Sequence, residues 1–406
     1  MRAHWRDELA SPLRLKQVVE MNIAQKLTII ITAAWLASPD MARGAAPPAF
    51  ELIKPPAIAG SLAPNLCTFG NQFILSWIQR GGNRSATVRV AAWTGKAFDK
   101  ARTVATSKQM FANWADIPSV IEAPSGDLYA HWLDRISSKT YAYGIRIVRS
   151  TDSGKTWKPM GWLHNDTSPT EHGFVSFAPE GKHVRAFWLD GRAMAKKGGK
   201  MMLRTAILDG NKIKDERVLD DDVCTCCPTS AAPLATGPMV IYRDRSPKEI
   251  RDIAFTRTIN AKWTKPAVIH ADNWFFPACP VNGASIATHG NLIAISRYTI
   301  ANQKAQVILR LSKTGQIKTG CDIVLDANNP TGRCATVCTQ DAVFTIWIGN
   351  AGKQTALQLA QVSHAGKLIR KTTLAPIDGG RSSGMPRVII SGGYLWVTWT
   401  DENRVQ

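Results

Sequence analysis

A strand-like phrase rich in aromatic and β-branched residues returns along this chain at a nearly constant interval, and few folds can be so evenly timed. The phrase reads FILSWIQR, LYAHWLDR, VRAFWLDGR, MVIYRDR, LIAISRYT, VFTIWIGN and LWVTWTDE. Its equivalent positions are Trp77, Trp132, Trp188, Tyr242, Ser296, Trp347 and Trp399, separated by 55, 56, 54, 54, 51 and 52 residues. After each of the first six comes another strand and then a small turn: WTGKAF, STDSGKTW, LDGNKI, RTINAKW, SKTGQI and SHAGKL. The pivots are Gly95, Gly154, Gly210, Asn260, Gly315 and Gly366, residue types that accept positive φ in a tight hairpin. A further strand follows each turn, and a weaker apolar stretch such as IPSVIEA, FVSFA or RVIIS precedes each aromatic strand. Four short strands in roughly 50 residues is the pattern of a propeller blade. The chain is therefore read as all-β: a β-propeller of four-stranded antiparallel blades. Seven aromatic strands indicate seven blades, while six complete hairpins leave six as the alternative. Residues near AFELIK would supply the outer strand that closes the ring. The competing architecture is a β-sandwich with accidental spacing.

The N-terminus reads as an export signal. Lys26 supplies the positive start, Leu27 to Leu36 the apolar stretch, and Ala42 to Ala46 a small-residue cleavage region. The stretch is short for a bilayer core of about 30 Å. Residues 1–46 are thus assigned to a leader, with 1–20 a long extension or the product of a misplaced start, and 47–406 to one propeller domain. No cysteine follows the apolar stretch, which argues against a lipid anchor. The expected location is periplasmic or secreted, with no transmembrane span in the mature chain. Eight cysteines suit an oxidising compartment. The formal charge of +19 suits an acidic partner, but no nucleic-acid motif accompanies it, so nucleic acid is set aside. An anionic glycan or a periplasmic protein remains as partner, and the chain is read as a monomer.

One hairpin carries more than a turn needs. In RSTDSGKTW, the Asp152 carboxylate can accept backbone N–H bonds across the turn, Gly154 makes the bend, and Trp157 can fold back as an apolar plug. Ser150 and Thr156 supply further local bonds. The stretch S-x-D-x-G-x-T-W resembles the Asp-box of sialidase-like (BNR-repeat) propellers, where it staples an outer hairpin away from the active site. The other five turns are degenerate versions. Known sialidases have six blades, which keeps six in play here.

In a propeller, the loops leading into inner strands and those leaving second strands open on one end of the channel. Leading in are NWADIPS with Asp116, TEHGFVS with Glu171 and His172, CTCCPTS, PACPVNG with Cys279, TGRCATV, and GMPRV with Arg387. Leaving are Asp190 and Arg192, Asp244 and Arg245, and Arg297 with Tyr298. From Leu62 to Asp401 the chain is similar to bacterial sialidase-like proteins, and NWADIPS, EHGFVS, WLDGR, YRDRSPKEIRDI and CPVNG resemble a poorly characterised branch of them that carries a C-x-C-C motif. The resemblance implies a carboxylate-binding arginine set, a tyrosine activated by glutamate, and an acidic proton donor. The stretch where the first arginine of that set falls in sialidases reads SLAPNLCTFG and has none. The catalytic candidates are Asp116, Glu171, His172, Asp190 and Tyr298. Arg192, Arg245, Arg251 and Arg387 are candidates for binding an acidic substrate, because the guanidinium fork fits a carboxylate. Strand-end Asp and Arg also pair with one another as scaffold, which is the competing reading for WLDGR and YRDR.

VCTCCPT supplies Cys224, Cys226 and Cys227, and Cys279 leads into the next inner strand. Three readings stand open for these four: disulfides, a thiolate site for copper or zinc, and a redox-active pair. Cys321, Cys334 and Cys338 are near enough in sequence for one disulfide, and Cys67 has no obvious partner. Three functions follow: an exo-acting glycosidase or glycan-binding protein for anionic sugars, a non-catalytic assembly propeller, and a metal-thiolate or thiol-redox protein.

Overall fold

A computed structural model describes residues 30–32, 50–401 and 404–405. Among these residues the long elements are all strands, joined by turns and three short 3-10 segments. Seven antiparallel sheets, six with four strands and one with five, are arranged as a propeller, and Thr400–Asp401 pairs with Arg404–Val405 as a separate two-stranded ribbon. Blades 1 to 6 span 61–107, 120–162, 172–220, 230–268, 285–326 and 332–376. In each, the first strand in sequence lies innermost and the strands run outward in chain order. The inner strand of blade 1, Ser61–Phe69, lies beside Val120–Glu122 of blade 2 on one side and Arg387–Ser391 of blade 7 on the other, closing the ring. Blade 4 has five strands because its outer edge is broken into Lys262–Trp263 and Ala267–Val268. Pro266, which has no N–H to give the ladder, falls in that break.

Blade 7 is built from both ends of the chain. Arg387–Ser391 and Tyr394–Thr398 are its inner strands, Ile30–Thr32 pairs with the second, and Phe50–Leu52 lies outermost. The strand from AFELIK is thus the outer one of this closing blade. Ile30–Thr32 falls within the apolar stretch read as the export signal, and the rest of that segment lies outside the described residues. Cleavage between residues 42 and 46 would take this strand away and leave Phe50–Leu52 without its neighbour. No helix among the described residues is long and apolar enough to cross a membrane.

The apolar side chains sit between blades rather than in one central core. Ile145 and Ile147 of blade 2 meet Val184 and Ala206 of blade 3. Ile241 of blade 4 clusters with Ile286 and Ile293 of blade 5, and Leu309 of blade 5 with Val343 and Trp347 of blade 6. Phe73 and Trp77 of blade 1 pack with Trp396 of blade 7. All seven periodic positions, from Trp77 to Trp399, are buried. Each large side chain removed from water in this way stabilises the stack by roughly 2–3 kcal/mol.

The hairpin at 150–157 is bonded within itself. Ser150 Oγ donates to Asp152 Oδ1 at 2.7 Å and accepts the Gly154 N–H at 2.9 Å. Asp152 accepts the Thr156 N–H at 2.9 Å and the Thr156 hydroxyl at 2.5 Å. These bonds hold the Asp152 carboxyl well below the usual carboxylate range, the Thr156 hydroxyl contributing most. Gly154 has φ +75°, and the Trp157 ring packs on the core between blades. The hairpin joins the third and fourth strands of blade 2, at the opposite end from the loops leading into the inner strands. Ser150→Ala removes a buried hydroxyl that both donates and accepts, and should cost about 1–2 kcal/mol. Urea denaturation of the variant should show a lower midpoint with an unchanged slope.

Candidate functional site

Three acidic or phenolic groups meet at the channel mouth. Asp116 precedes the inner strand of blade 2, Glu171 immediately precedes that of blade 3, and Tyr143 opens the third strand of blade 2. The Tyr143 hydroxyl donates to Glu171 Oε1 at 2.5 Å. Phe111 stacks on the Tyr143 ring with centroids 4.2 Å apart. Asp116 Oδ2 accepts the Phe174 N–H at 2.7 Å. That N–H faces Asp116 because the inner strand bulges: pairing shifts between Gly173 and Ser176, and Phe174 takes φ 55°. Residue 173 must be glycine, since a Cβ there would stand 2.1 Å from Asp116 Oδ2.

Burial dominates the electrostatics. It raises the Asp116 carboxyl to about 7, only partly opposed by the Phe174 N–H. It raises Glu171 to about 7 as well, with Asp116, Cys279 and Cys224 adding like-charge repulsion. Tyr143 is pushed well above the phenol range by burial and by Glu171. Near neutrality, two carboxyls at this mouth can therefore hold or release a proton, the condition for acid–base work.

The cysteines lie within electrostatic reach of Glu171. Cys224 Sγ is 4.0 Å from Cys226 Sγ and 3.7 Å from Cys227 Sγ, and all three sulfurs lie within 4.8 Å of one another. Cys279 approaches the same segment from blade 5, its Sγ 3.6 Å from Thr225 Oγ1, and interacts electrostatically with Cys226. Two blades thus contribute to one thiol cluster. Cys224 and Cys227 are buried, Cys226 is half-buried and Cys279 is exposed. Hydrogen bonds from Cys226 and Cys227 hold Cys224 well below the usual thiol range, and those from Cys226 and Thr225 bring Cys279 down to about 6. The donor Cys226 is shifted upward, chiefly by its bond to Cys224, and Cys227 upward by burial.

Backbone contacts hold the two cysteine segments together. The Asn282 N–H reaches Cys227 Sγ at 3.4 Å. Arg243, fully buried, donates to the Asn282 carbonyl at 2.9 and 2.7 Å and to the Tyr298 carbonyl at 2.8 Å. Residue 283 admits only glycine, because a Cβ would meet the Pro228 carbonyl oxygen at 2.3 Å.

The remaining sequence candidates lie elsewhere or are already engaged. Asp190 is fully buried beneath Arg192, which binds it through Nε at 2.7 Å and a second nitrogen at 2.8 Å. Arg192 also donates to Glu216 at 2.7 Å and to Asn165 at 2.7 Å, so its fork is spent on the protein. His172 stacks on His164 at 4.1 Å, places Nε2 3.0 Å from Asp166 and Nδ1 3.2 Å from the Tyr143 carbonyl, and so joins this network to the strand that carries Tyr143. Arg245 and Arg251 both bind Glu249, each at 2.5 Å. Arg251 still acts at a distance, favouring the thiolates of Cys224 and Cys279. Arg387 lines the axial channel. Tyr298 lines an aromatic cleft of about 300 Å³ with Trp114, Trp274 and Phe276, and the tyrosine bonded to Glu171 is Tyr143 instead. The four arginines therefore do not converge as a carboxylate-binding set. All eight cysteines carry free thiols. Cys334 and Cys338 share one inner strand, where four residues of rise, about 13 Å, exceed a disulfide's reach. Cys321 lies on the outer strand of the preceding blade.

No protein-family model matches the chain. No curated protein matches it either. Among solved structures it is similar to an α-L-arabinanase of Penicillium chrysogenum complexed with arabinobiose, at 12% identity and TM-score 0.47 over 85% of this chain and 93% of that one. It is similar to a Trypanosoma rangeli sialidase in complex with difluorosialic acid, at 12% identity and TM-score 0.47 over 81% of this chain and 56% of that one. A protein of unknown function from Dyadobacter fermentans matches at 12% identity and TM-score 0.45, over 78% and 95% of the two chains.

The raised Asp116 carboxyl ties stability to pH. Below its ordinary value of 3.8 both folded and unfolded forms are protonated; as pH climbs to about 7 the unfolded form ionises first, so folding loses stability, and the loss is complete above 7. The loss should be of order 2–4 kcal/mol. Denaturant titrations at pH 4, 6 and 8 should show it, and Asp116→Asn, which keeps an oxygen for the Phe174 N–H, should flatten the profile.

Proposed function

We propose that this chain is a metal-binding propeller, one that holds a soft d10 ion, Cu(I) or Zn(II), on Cys224, Cys226 and Cys227 at the mouth of its channel. The carrying observation is the sulfur geometry of C-x-C-C: Cys224 Sγ stands 4.0 Å from Cys226 Sγ and 3.7 Å from Cys227 Sγ, and all three unbonded sulfurs lie within 4.8 Å of one another. Thiolates at about 2.3 Å from a tetrahedral ion stand roughly 3.8 Å apart. A disulfide would need about 2.05 Å. Cys279 offers a fourth sulfur from blade 5, 3.6 Å from Thr225 Oγ1 and exposed to solvent. Soft thiolates select such ions over Mg²⁺ or Ca²⁺. The graded burial, from closed Cys224 and Cys227 to open Cys279, suits an ion that arrives and leaves by ligand exchange at the exposed sulfur. The apolar N-terminal stretch supports a role outside the cytoplasm, where the protein would sequester or pass on the ion.

Protein purified without oxygen should carry one equivalent of copper or zinc by elemental analysis. Cys224→Ser should lower its affinity by more than the roughly 10–100-fold that supporting residues contribute. Metal-free protein with the four sulfurs oxidised in pairs would end this reading.

A second reading rests on Tyr143, Glu171 and Asp116. A carboxyl raised to about 7, a second carboxyl beside it and a tyrosine at 2.5 Å form a set suited to glycosidic bond cleavage. The aromatic cleft of Trp114, Trp274 and Tyr298 could stack a sugar ring. Because Arg192, Arg245 and Arg251 are bound internally, a neutral glycan fits this mouth better than an acidic one. Turnover of neutral aryl glycosides, lost at least about 100-fold in Glu171→Gln and retained in Cys226→Ser, would select this reading. No turnover across neutral and acidic panels would remove it.

A further inference from the structure

The axial channel is distinct from the thiol cluster and carries an unbalanced charge. Inner strands of all seven blades line a cavity of about 460 Å³. Arg387, the first residue of the inner strand of blade 7, faces it. Its guanidinium makes one weak contact, to the Pro386 carbonyl at 3.4 Å, and no carboxylate pairs with it among the described residues. Burial alone acts on it, lowering it to about 10, with no acidic neighbour to offset the cost. Arg333 also lines the cavity, but its guanidinium is engaged elsewhere. Two of its bonds go to the carbonyls of Gly380 and Gly384, and it lies over Trp114 at 4.5 Å. Glu122 is the acidic side chain of this lining, and it accepts the Gly70 N–H at 2.9 Å at the far end of its strand.

The channel also offers neutral donors. Ser230 Oγ accepts the Ile286 N–H at 3.2 Å, and Ser285 Oγ accepts the Thr336 N–H at 3.1 Å. Each bond uses a lone pair of the hydroxyl and leaves its proton available to the cavity. A partly buried cation without a carboxylate partner is destabilising, and a bound counter-ion is the direct way to recover that cost. A guanidinium fork accompanied by hydroxyl donors matches the oxygens of a tetrahedral oxyanion.

We propose that the axial channel is a binding site for a small inorganic oxyanion of the phosphate or sulfate class, held on Arg387 and the channel hydroxyls. The site is independent of any metal at the cysteines. The test uses the full chain, exchanged into anion-poor buffer and titrated with inorganic phosphate, then with sodium sulfate, by calorimetry and by thermal denaturation. Wild type should show saturable binding near one equivalent and a saturable rise in Tm, both lost in Arg387→Met and partly kept in Arg387→Lys. In the anion-poor buffer Arg387→Met should melt above wild type, because it removes a half-buried charge that lacks a carboxylate partner. Failure of wild type to saturate, an equal response from Arg387→Met, or a lower melting point for Arg387→Met in anion-poor buffer would each overturn the proposal.

Discussion

Face-to-face packing of neighbouring blades is the interaction on which everything else in this molecule depends. A single four-stranded blade has two apolar faces and cannot bury either by itself. Clusters such as Ile145 with Val184, or Leu309 with Trp347, exist only when two blades meet. Each interface then fixes the next, until the inner strands of blades 1 and 7 come together. The chemistry at the mouth is a by-product of that stacking. Asp116 belongs to blade 2, the Phe174 N–H to blade 3, the C-x-C-C segment leads into blade 4, and Cys279 into blade 5. Distances of 3 to 4 Å among them follow from blade register, not from local sequence.

Close approach at the mouth is paid for in backbone freedom. Ala63, Phe174 and Arg333 all take φ near 55° at the bulged start of their inner strands, an uncommon conformation for residues with a side chain. The same bulge recurs in blades 1, 3 and 6, where pairing shifts by an extra residue. In blade 3 it aims an N–H at Asp116, and in blade 6 it places the Arg333 N–H on Asn282 Oδ1 at 2.7 Å. Asn282 in turn touches Cys227, so the thiols are supported from the two blades that follow them.

Much of this was legible in the sequence, and the failures have physical causes. The interval between aromatic strands reports the repeat because each such side chain fills the same inter-blade slot. Gly95, Gly154, Gly210, Asn260 and Gly366 all show the positive φ their turns required, while Gly315 precedes a 3-10 turn and does not. The C-x-C-C motif brings three sulfurs within 4.8 Å of one another, and the cysteine one repeat later reaches the same segment, its Sγ 3.6 Å from Thr225 Oγ1. Tyr143 carries no signal in the loops around the first two strands; it stands at the start of the third strand, which opens on the same end. Arg243 was missed because it reads as the end of a strand. Arg192, Arg245 and Arg251 were overvalued, since acids two to four residues away had already claimed them: Asp190 for the first and Glu249 for the other two. Whether an arginine is free for a ligand depends on its neighbours in space, and for Arg387 only the folded channel shows that none is acidic.

Blade 7 draws its outer strands from the first residues described and its inner strands from the last. A chain emerging from a ribosome can stack six blades in order, but the ring stays open until the inner strands of blade 7 arrive. In that order the Arg387 guanidinium would enter its cavity last, and a ligand that neutralised it there would act as a latch on the finished ring.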